Sequence, residues 1–451
     1  VRVAFIQKDP LPDPSLMGLA AATVFRGHQV SVFIPAAEKR LNRALRRFAP
    51  DALLFAPATG FHDWAEAQAR QLKRVTGGAP NLFTGTHVTD YPEIAHHDGV
   101  DLLLIGDPET TLSEVLEKLE RGHGKARDLP GTGGTVAAGP DGTLIHGAAR
   151  HSVDDLDELP LADIEIYRRY PFIRRQTTLS FASGRGVAEN THAGFRIGLK
   201  ELTRRFAPCR RHSADEAMRR LHLHIHRRPI YRRVAFRDDS LLMDDGTPWL
   251  SSFLALYRDE IALPFSCVAR PDQLSEDTIR LLAESGCERI QLGVETGDPE
   301  LRHKICGVDM GNEDILRVNQ NLRQAGINVQ TVTFLGLPGE TTESALRSLD
   351  LNIELAPDHA FAIGVAGPQG GPVPAPWANL QLLMPLVVRF PFLRAHVEQR
   401  MSGGSSQLLE SLFQVHHDAS FVTSGELHPI DILKIARRMK RSRNRVKGNL
   451  T

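Results

Sequence analysis

Four cysteines in 451 residues, Cys209, Cys267, Cys287 and Cys306, are too few and too scattered for a disulfide framework or a close metal pair. No apolar run approaches the roughly 20 residues a membrane span needs, so no span is expected. Neither sign of charge dominates: 54 acidic residues balance 54 basic ones, which removes any overall field for nucleic acid or an anionic membrane. No G-x-G-x-x-G follows the first strand-like run, so a dinucleotide is not expected. The opening "VRVAFIQKDP" enters a strand pattern directly, without the charged, apolar and small-residue zones of a secretory leader. These absences point to reduced thiols in a soluble, cytoplasmic chain, long enough for two or three domains.

What is present begins with alternation. "VRVAFI", "QVSVFI", "DALLFAPA", "APNLFTG" and "DLLLIG" read as buried strands, interleaved with helical stretches such as "SLMGLAAATVFRGH" and "ETTLSEVLEKLERG". Over residues 1–125 this predicts an α/β, doubly wound (Rossmann-like) domain with a parallel sheet. Its ligand would lie at the carboxyl ends of the strands, by "ATGFHDW", "TGTHVTDYPE" and "GDPETT". Over 126–170, "GGTVAAGPDGTLIHG" predicts a hairpin turning at Asp141-Gly142, followed by an acidic, proline-punctuated connector, "DDLDELPLADIEIY". From 171 to 370 longer units resume, with six strand-like runs that fit a partial (β/α)6 barrel. Asp238, Asp239 and Glu295 fall at the ends of such runs, where barrels collect functional groups. Residues 371–451 open on the break "GPQGGPVPAPW" and continue as two amphipathic helical patterns, "NLQLLMPLVVRFPFLRAHVEQRM" and "LHPIDILKIARRMKR". The basic tail reads as a solvated end and no nucleic-acid or membrane partner is expected.

Several of these strings carry a resemblance. "FTGTHVTDYPE" and "LLIGDPETTLSEVLEKL" resemble the GGxHxTxxPE and GEGExxLxELL signatures of cobalamin-binding domains fused to radical SAM barrels. "VAFRDDSLL", "LPFSCVARPDQLSEDTIRLLAESGCERIQLGVETGDPELR" and "TFLGLPGETTESALRSLDLNIELAPDHAFA" resemble the barrels of that family, which includes anaerobic Mg-protoporphyrin monomethyl ester cyclase. The resemblance spans most of the chain. It implies cobalamin at Gly18, Thr59, Gly60, Gly85, His87, Thr89, Gly106 and Glu109, without the D-x-H-x-x-G motif of other cobalamin domains. It also implies S-adenosylmethionine, with Asp238 or Asp239 near its amino group, Glu295 near its ribose, and Gly336, Leu337 and Pro338 of "GLPGE" near its adenine.

The loop "SFASGRGVAENTHAGF" departs from the family. Relatives carry C-x-x-x-C-x-x-C after the first barrel strand, and three thiolates there hold a four-iron, four-sulfur cluster. Aligning "SGRG" on that pattern puts Val187, Thr191 and Gly194 at the three cysteine positions, and none of them can ligate iron as a thiolate does. The expectation is a cobalamin-binding, radical-SAM-like enzyme without an iron–sulfur cluster. It would transfer a methyl or alkyl group to a small-molecule substrate, or remodel one, in specialised metabolism, with S-adenosylmethionine as an ordinary electrophile. Three other readings stand beside it: a non-catalytic cobalamin-binding partner of an active relative, a cluster site rebuilt from residues such as His192, and a cobalamin-binding sensor. The run "HLHIH" would set His222, His224 and His226 on one face of a strand and could then hold a transition metal, but its position suits a solvated turn.

Overall fold

The structure is a computed structural model that describes residues 1–57, 62–122, 129–186, 209–238, 241–243, 248–365 and 373–401. They divide into two compact units, Val1–Asp154 with Glu158–Gln176, and Asp155–Asp157 with Thr177 onward.

The first unit alternates β1 (Arg2–Ile6), α1 (Pro14–Phe25), β2 (Gln29–Phe33), α2 (Leu41–Phe48), β3 (Ala52–Phe55) and α3 (His62–Val75). It continues with β4 (Asn81–Thr84), α4 (Thr86–Asp90), β5 (Leu102–Leu104) and α5 (Pro108–Glu120). β1 to β5 are parallel, in the order β2-β1-β3-β4-β5. Every residue of β3, β4 and β5 is buried, as expected for strands covered on both faces. α1 starts where it does because Asp13 caps it, its carboxylate accepting from the Ser15 and Leu16 N–H groups, with Pro14 in the first helical position. The chain leaves β1 toward β2 on one side and toward β3 on the other, so the switch point of the sheet lies between β1 and β3.

The hairpin forms as β6 (Thr135–Ala138) and β7 (Leu144–His146) and extends this sheet, β6 lying antiparallel to β5. Asp141 fixes its turn by accepting from the Thr143 N–H and hydroxyl. The connector is less exposed than its composition suggests. Ile164, Tyr167, Tyr170 and Ile173 are buried in the core of the first unit, around a short α6 (Pro171–Arg174).

In the second unit six parallel strands form a half-barrel sheet: β8 (Thr178–Phe181), β11 (Arg233–Phe236), β12 (Phe265–Ala269), β13 (Cys287–Glu295), β14 (Asn328–Leu335) and β15 (His359–Gly364), neighbours in that order. The packed helices are α7 (Ala214–Arg227), α8 (Trp249–Glu260), α9 (Glu276–Glu284), α10 (Asn312–Gln324) and α11 (Thr342–Leu355). α12 (Ala375–Arg389) and α13 (Val397–Met401) follow them. Phe236 is the hub of the core, meeting Phe253, Tyr257 and Phe265 edge-on at 5.4–5.7 Å. The two-residue strands β9 (Gly184–Arg185) and β10 (Arg210–Arg211) pair antiparallel. Residues 187–208 run between them, outside the described residues. Residues 366–372 of the Pro/Gly break and the second C-terminal helical pattern also lie outside them.

The "HLHIH" run is neither strand nor turn but the last part of α7. Ser213 caps that helix by accepting from the Glu216 N–H. Ala217, Met218, Leu221 and His224 keep a helical burial period through the histidines. The period disperses the imidazoles: His224 turns inward, edge-on to Phe181, while His222 reaches the Glu260 carboxylate at 2.7 Å. Among the described residues no helix is long and apolar enough to cross a membrane.

Candidate functional site

In the first unit the carboxyl ends of β4 and β5 meet through one side chain. Thr89, on α4, donates its hydroxyl to the Gly85 carbonyl at 2.9 Å and accepts the Gly106 N–H at 3.1 Å. The loop after β4 and the loop after β5 are thereby joined, which brings Gly85, Thr89 and Gly106 together, with His87 on the same α4. Gly85 has φ 102°, which favours glycine, and a Cβ built on it would meet nothing within 4 Å, so open space lies over this backbone. Glu109 stands in the first turn of α5 and Gly18 in α1. Thr59 and Gly60 lie outside the described residues.

His87 is the unusual group here. It is fully buried, yet neither ring nitrogen has a hydrogen-bond partner. Its ring stacks on that of His62, a residue the motifs did not single out, at 4.5 Å and 21°, and lies tilted 5.0 Å from Tyr91. Burial first, then the neighbouring His62 and His97, push its pKa down to about 4, so the ring is neutral at pH 7. A neutral imidazole offers one N–H donor and one acceptor. Native proteins rarely leave both unspent in a buried ring.

In the second unit the end of β13 is held by Arg302, which sequence reasoning missed. Arg302 is wholly buried; its Nε and Nη2 donate to the Thr296 carbonyl, Nη1 to the Met310 carbonyl at 2.6 Å, and Nη2 also to Asn312 Oδ1 at 2.6 Å. Nothing in "DPELRHKIC" marks this arginine as buried. Glu295, the last residue of β13, has φ 64° beside a bulge in the ladder to β14. Burial pushes its carboxyl up to about 7, against the pull of Arg270 and Arg302. On the next strand, Gly336 N–H donates to Glu340 Oε2, which also takes the Trp377 indole N–H at 2.6 Å. Trp377 comes from α12 and lies so near Gly336 that an added Cβ would meet its ring at 3.3 Å. Leu337 is buried, with its carbonyl bonded to the Glu340 N–H, and Pro338 follows in the same turn. Asp238 lies just past β11 and accepts from both the N–H and the hydroxyl of Ser183 at 2.8 and 2.7 Å, which ties β11 to the end of β8. Asp239, Val187, Thr191, Gly194 and His192 lie outside the described residues.

Cys267, Cys287 and Cys306 are buried, Cys267 and Cys287 in the barrel core and Cys306 beside Glu295. Cys267 is pushed up by hydrogen bonding with Cys287 and by burial, and Cys306 by burial to about 12. Both stay thiols at pH 7, which leaves them poor nucleophiles and poor iron ligands. Cys209 is half-buried, next to β10. Among the described residues no three His, Cys, Asp or Glu are grouped to hold a metal ion.

The raised carboxyl of Glu295 makes a pH prediction. The folded state holds its proton up to about 7 and the unfolded chain releases it near 4.5, so the folded state binds more protons in that window. Stability of the second unit is therefore expected to fall as pH rises from 5 to 8, by on the order of 2 kcal/mol. Glu295→Gln should flatten that fall, as read by hydrogen exchange of the β12–β14 amides. An unchanged slope would mean that Glu295 is not the group responsible.

Residues 195–351 match the Radical SAM superfamily. The chain carries a radical SAM domain. It is similar to the radical S-adenosylmethionine methyltransferase TsrM from Kitasatospora setae, solved with cobalamin and a 4Fe–4S cluster bound, at a TM-score of 0.63 and 17% identity. That likeness covers 82% of this chain and 74% of TsrM. OxsB, a cobalamin-dependent S-adenosylmethionine radical enzyme solved with aqua-cobalamin and S-adenosylmethionine, matches at a TM-score of 0.59 and 15% identity, over 88% of this chain but 56% of OxsB. An uncharacterised methyltransferase of Pyrococcus horikoshii is 20% identical over 362 residues, 78% of this chain and 76% of its own. The radical SAM domain and the parallel half-barrel match the fold of cobalamin-dependent radical SAM enzymes.

Proposed function

We propose that this chain is a cobalamin-binding enzyme of radical SAM ancestry that transfers a methyl or alkyl group to a small molecule without an iron–sulfur cluster. The observation that carries the reading is His87, a buried neutral imidazole with both nitrogens unspent, beside the open left-handed backbone of Gly85. A polar ligand that rests on these strand ends relieves both features at once. A corrinoid, with its fringe of amides, fits that donor set.

Cobalamin, when bound, supplies a cobalt that accepts and gives up a methyl group. The chain's part is to bind and orient. His87 would donate one hydrogen bond and accept one, Gly85 and Gly106 would let the ligand approach the backbone, and Thr89 would keep their two loops in register. For S-adenosylmethionine, Glu295 and the Gly336–Glu340 turn end adjacent strands of one sheet, and the second oxygen of Glu340, Oε1, is buried without a partner.

The residues do not fit a cluster held by three thiolates. The loop positions that would carry them are Val187, Thr191 and Gly194, and the superfamily match begins one residue beyond the last of these. Cys267 and Cys306 are buried as protonated thiols.

Elemental analysis of protein purified without oxygen, after expression with cobalamin and iron supplied, tests this directly. The expected result is about one cobalt and almost no iron per chain; about four irons would restore radical chemistry. Absence of both metals would overturn the cobalamin reading and favour a degenerate partner protein.

A further inference from the structure

The loop after β1 is tied off by a residue from far along the chain. Tyr167 is fully buried, and its hydroxyl donates to Gln7 Oε1 at 2.6 Å while accepting the Asp13 N–H at 3.1 Å. Gln7 directly follows β1 and Asp13 caps α1, so one hydroxyl joins the two ends of the loop. Gln7 closes the loop from inside as well, its amide donating to the Asp9 carbonyl at 2.7 Å and the Leu11 carbonyl at 2.5 Å. Pro10, Pro12 and Pro14 fix φ at alternate positions along it.

Tyr170, three residues on, makes the matching contact at the exit of β2. Its hydroxyl accepts the Ile34 N–H at 2.7 Å and lies 3.2 Å from Glu38 Oε1. The two tyrosines differ in place. β1 stands at the switch point beside β3, where open sheets take ligands, while β2 is the outer edge strand.

We infer that Tyr167 is a positioning residue which, acting through Gln7, holds the Gln7–Asp13 loop preformed as one wall of the corrinoid crevice. The inference rests on the cobalamin reading and adds to it a residue outside the motifs. Its physical content is preorganisation. A loop already fixed spares the ligand the entropy cost of ordering each residue it would otherwise immobilise. Losing the clamp should therefore weaken binding by more than any general loss of stability explains.

Tyr167→Phe and Tyr170→Phe each delete one buried hydroxyl and nothing else. The experiment titrates the ligand-free full chain with hydroxocobalamin by visible absorbance and records thermal unfolding with and without it. Both variants should unfold at lower temperature without ligand. Tyr167→Phe is expected to bind hydroxocobalamin about tenfold more weakly, a loss of about 1.4 kcal/mol, while Tyr170→Phe stays within about twofold of wild type. Gln7→Leu should reproduce the Tyr167→Phe loss, and the double variant should be no worse than Gln7→Leu alone, because both act on one linkage. Gln7→Leu also serves where Tyr167→Phe does not fold. Wild-type affinity in both Tyr167→Phe and Gln7→Leu overturns the inference, as does an equal affinity loss in the two tyrosine variants. A wild-type chain that takes up no hydroxocobalamin overturns the functional reading itself, and the inference with it.

Discussion

His87→Leu is expected to make the ligand-free protein about 1 kcal/mol more stable at pH 7.5 while weakening corrinoid binding at least about tenfold. Burying an unpaired N–H and an unpaired lone pair costs about 1–3 kcal/mol, and leucine removes both at similar volume. Against this stands the lost stacking on His62, about 0.5–1.5 kcal/mol, which is why the net gain is modest. The gain should grow in acid. Folded His87 titrates at about 4 and the unfolded residue at 6.5, so the folded state holds fewer protons between those values. The wild type therefore loses stability as pH falls through this window, by on the order of 3 kcal/mol, and the variant does not. Urea unfolding at pH 7.5 and pH 5, read by hydrogen exchange of the β3–β5 amides, checks both halves. A variant less stable than wild type at both pH values would show that His87 is a packing residue.

Arg302→Met is expected to destabilise the second unit by about 3–4 kcal/mol. Methionine fills much of the space but leaves the Thr296 and Met310 carbonyls and Asn312 Oδ1 without their donor. Each buried acceptor so stranded costs about 1–3 kcal/mol. Part of this is returned because a desolvated charge is removed; burial already pulls the guanidinium below its ordinary pKa. Asn312 also donates to the Gly297 carbonyl at 3.0 Å, so the damage should spread along residues 296–312. Arg302→Lys, which keeps the charge but not the planar fork, should fall between the two. The measurement is the urea midpoint together with hydrogen exchange in that segment, and a loss under about 1 kcal/mol would refute the account.

The inner strands of the first sheet were legible because β3, β4 and β5 are parallel and buried on both faces, so "ALLF", "NLFT" and "LLL" appear as unbroken apolar runs. Gly85, Thr89 and Gly106 were legible as a motif, and the hydrogen bonds of Thr89 give that motif its physical sense. Three things were not legible. In "HLHIH" polar and apolar residues alternate with the period of a strand, and the helix shows only when the window reaches back to Ser213 and Ala217. Arg302 is a charge in a polar string, and its burial is decided by carbonyls from residues on either side of it. Tyr167 sits in a segment whose acids and prolines suggest a solvated linker, yet its hydroxyl partners lie about 160 residues earlier, a pairing no local pattern encodes.

The hairpin that extends the first sheet has a consequence for how the molecule avoids its own kind. A parallel sheet ending at β5 would present a fully apolar three-residue strand with unpaired amides, a template for another chain to join. β6 occupies that edge from within the same molecule and reverses the strand direction. The new border is β7, three residues long, half exposed and closed by a tight Asp-Gly turn. So short a border offers little to recruit a neighbour, so the hairpin guards this edge of the first sheet against edge-to-edge pairing.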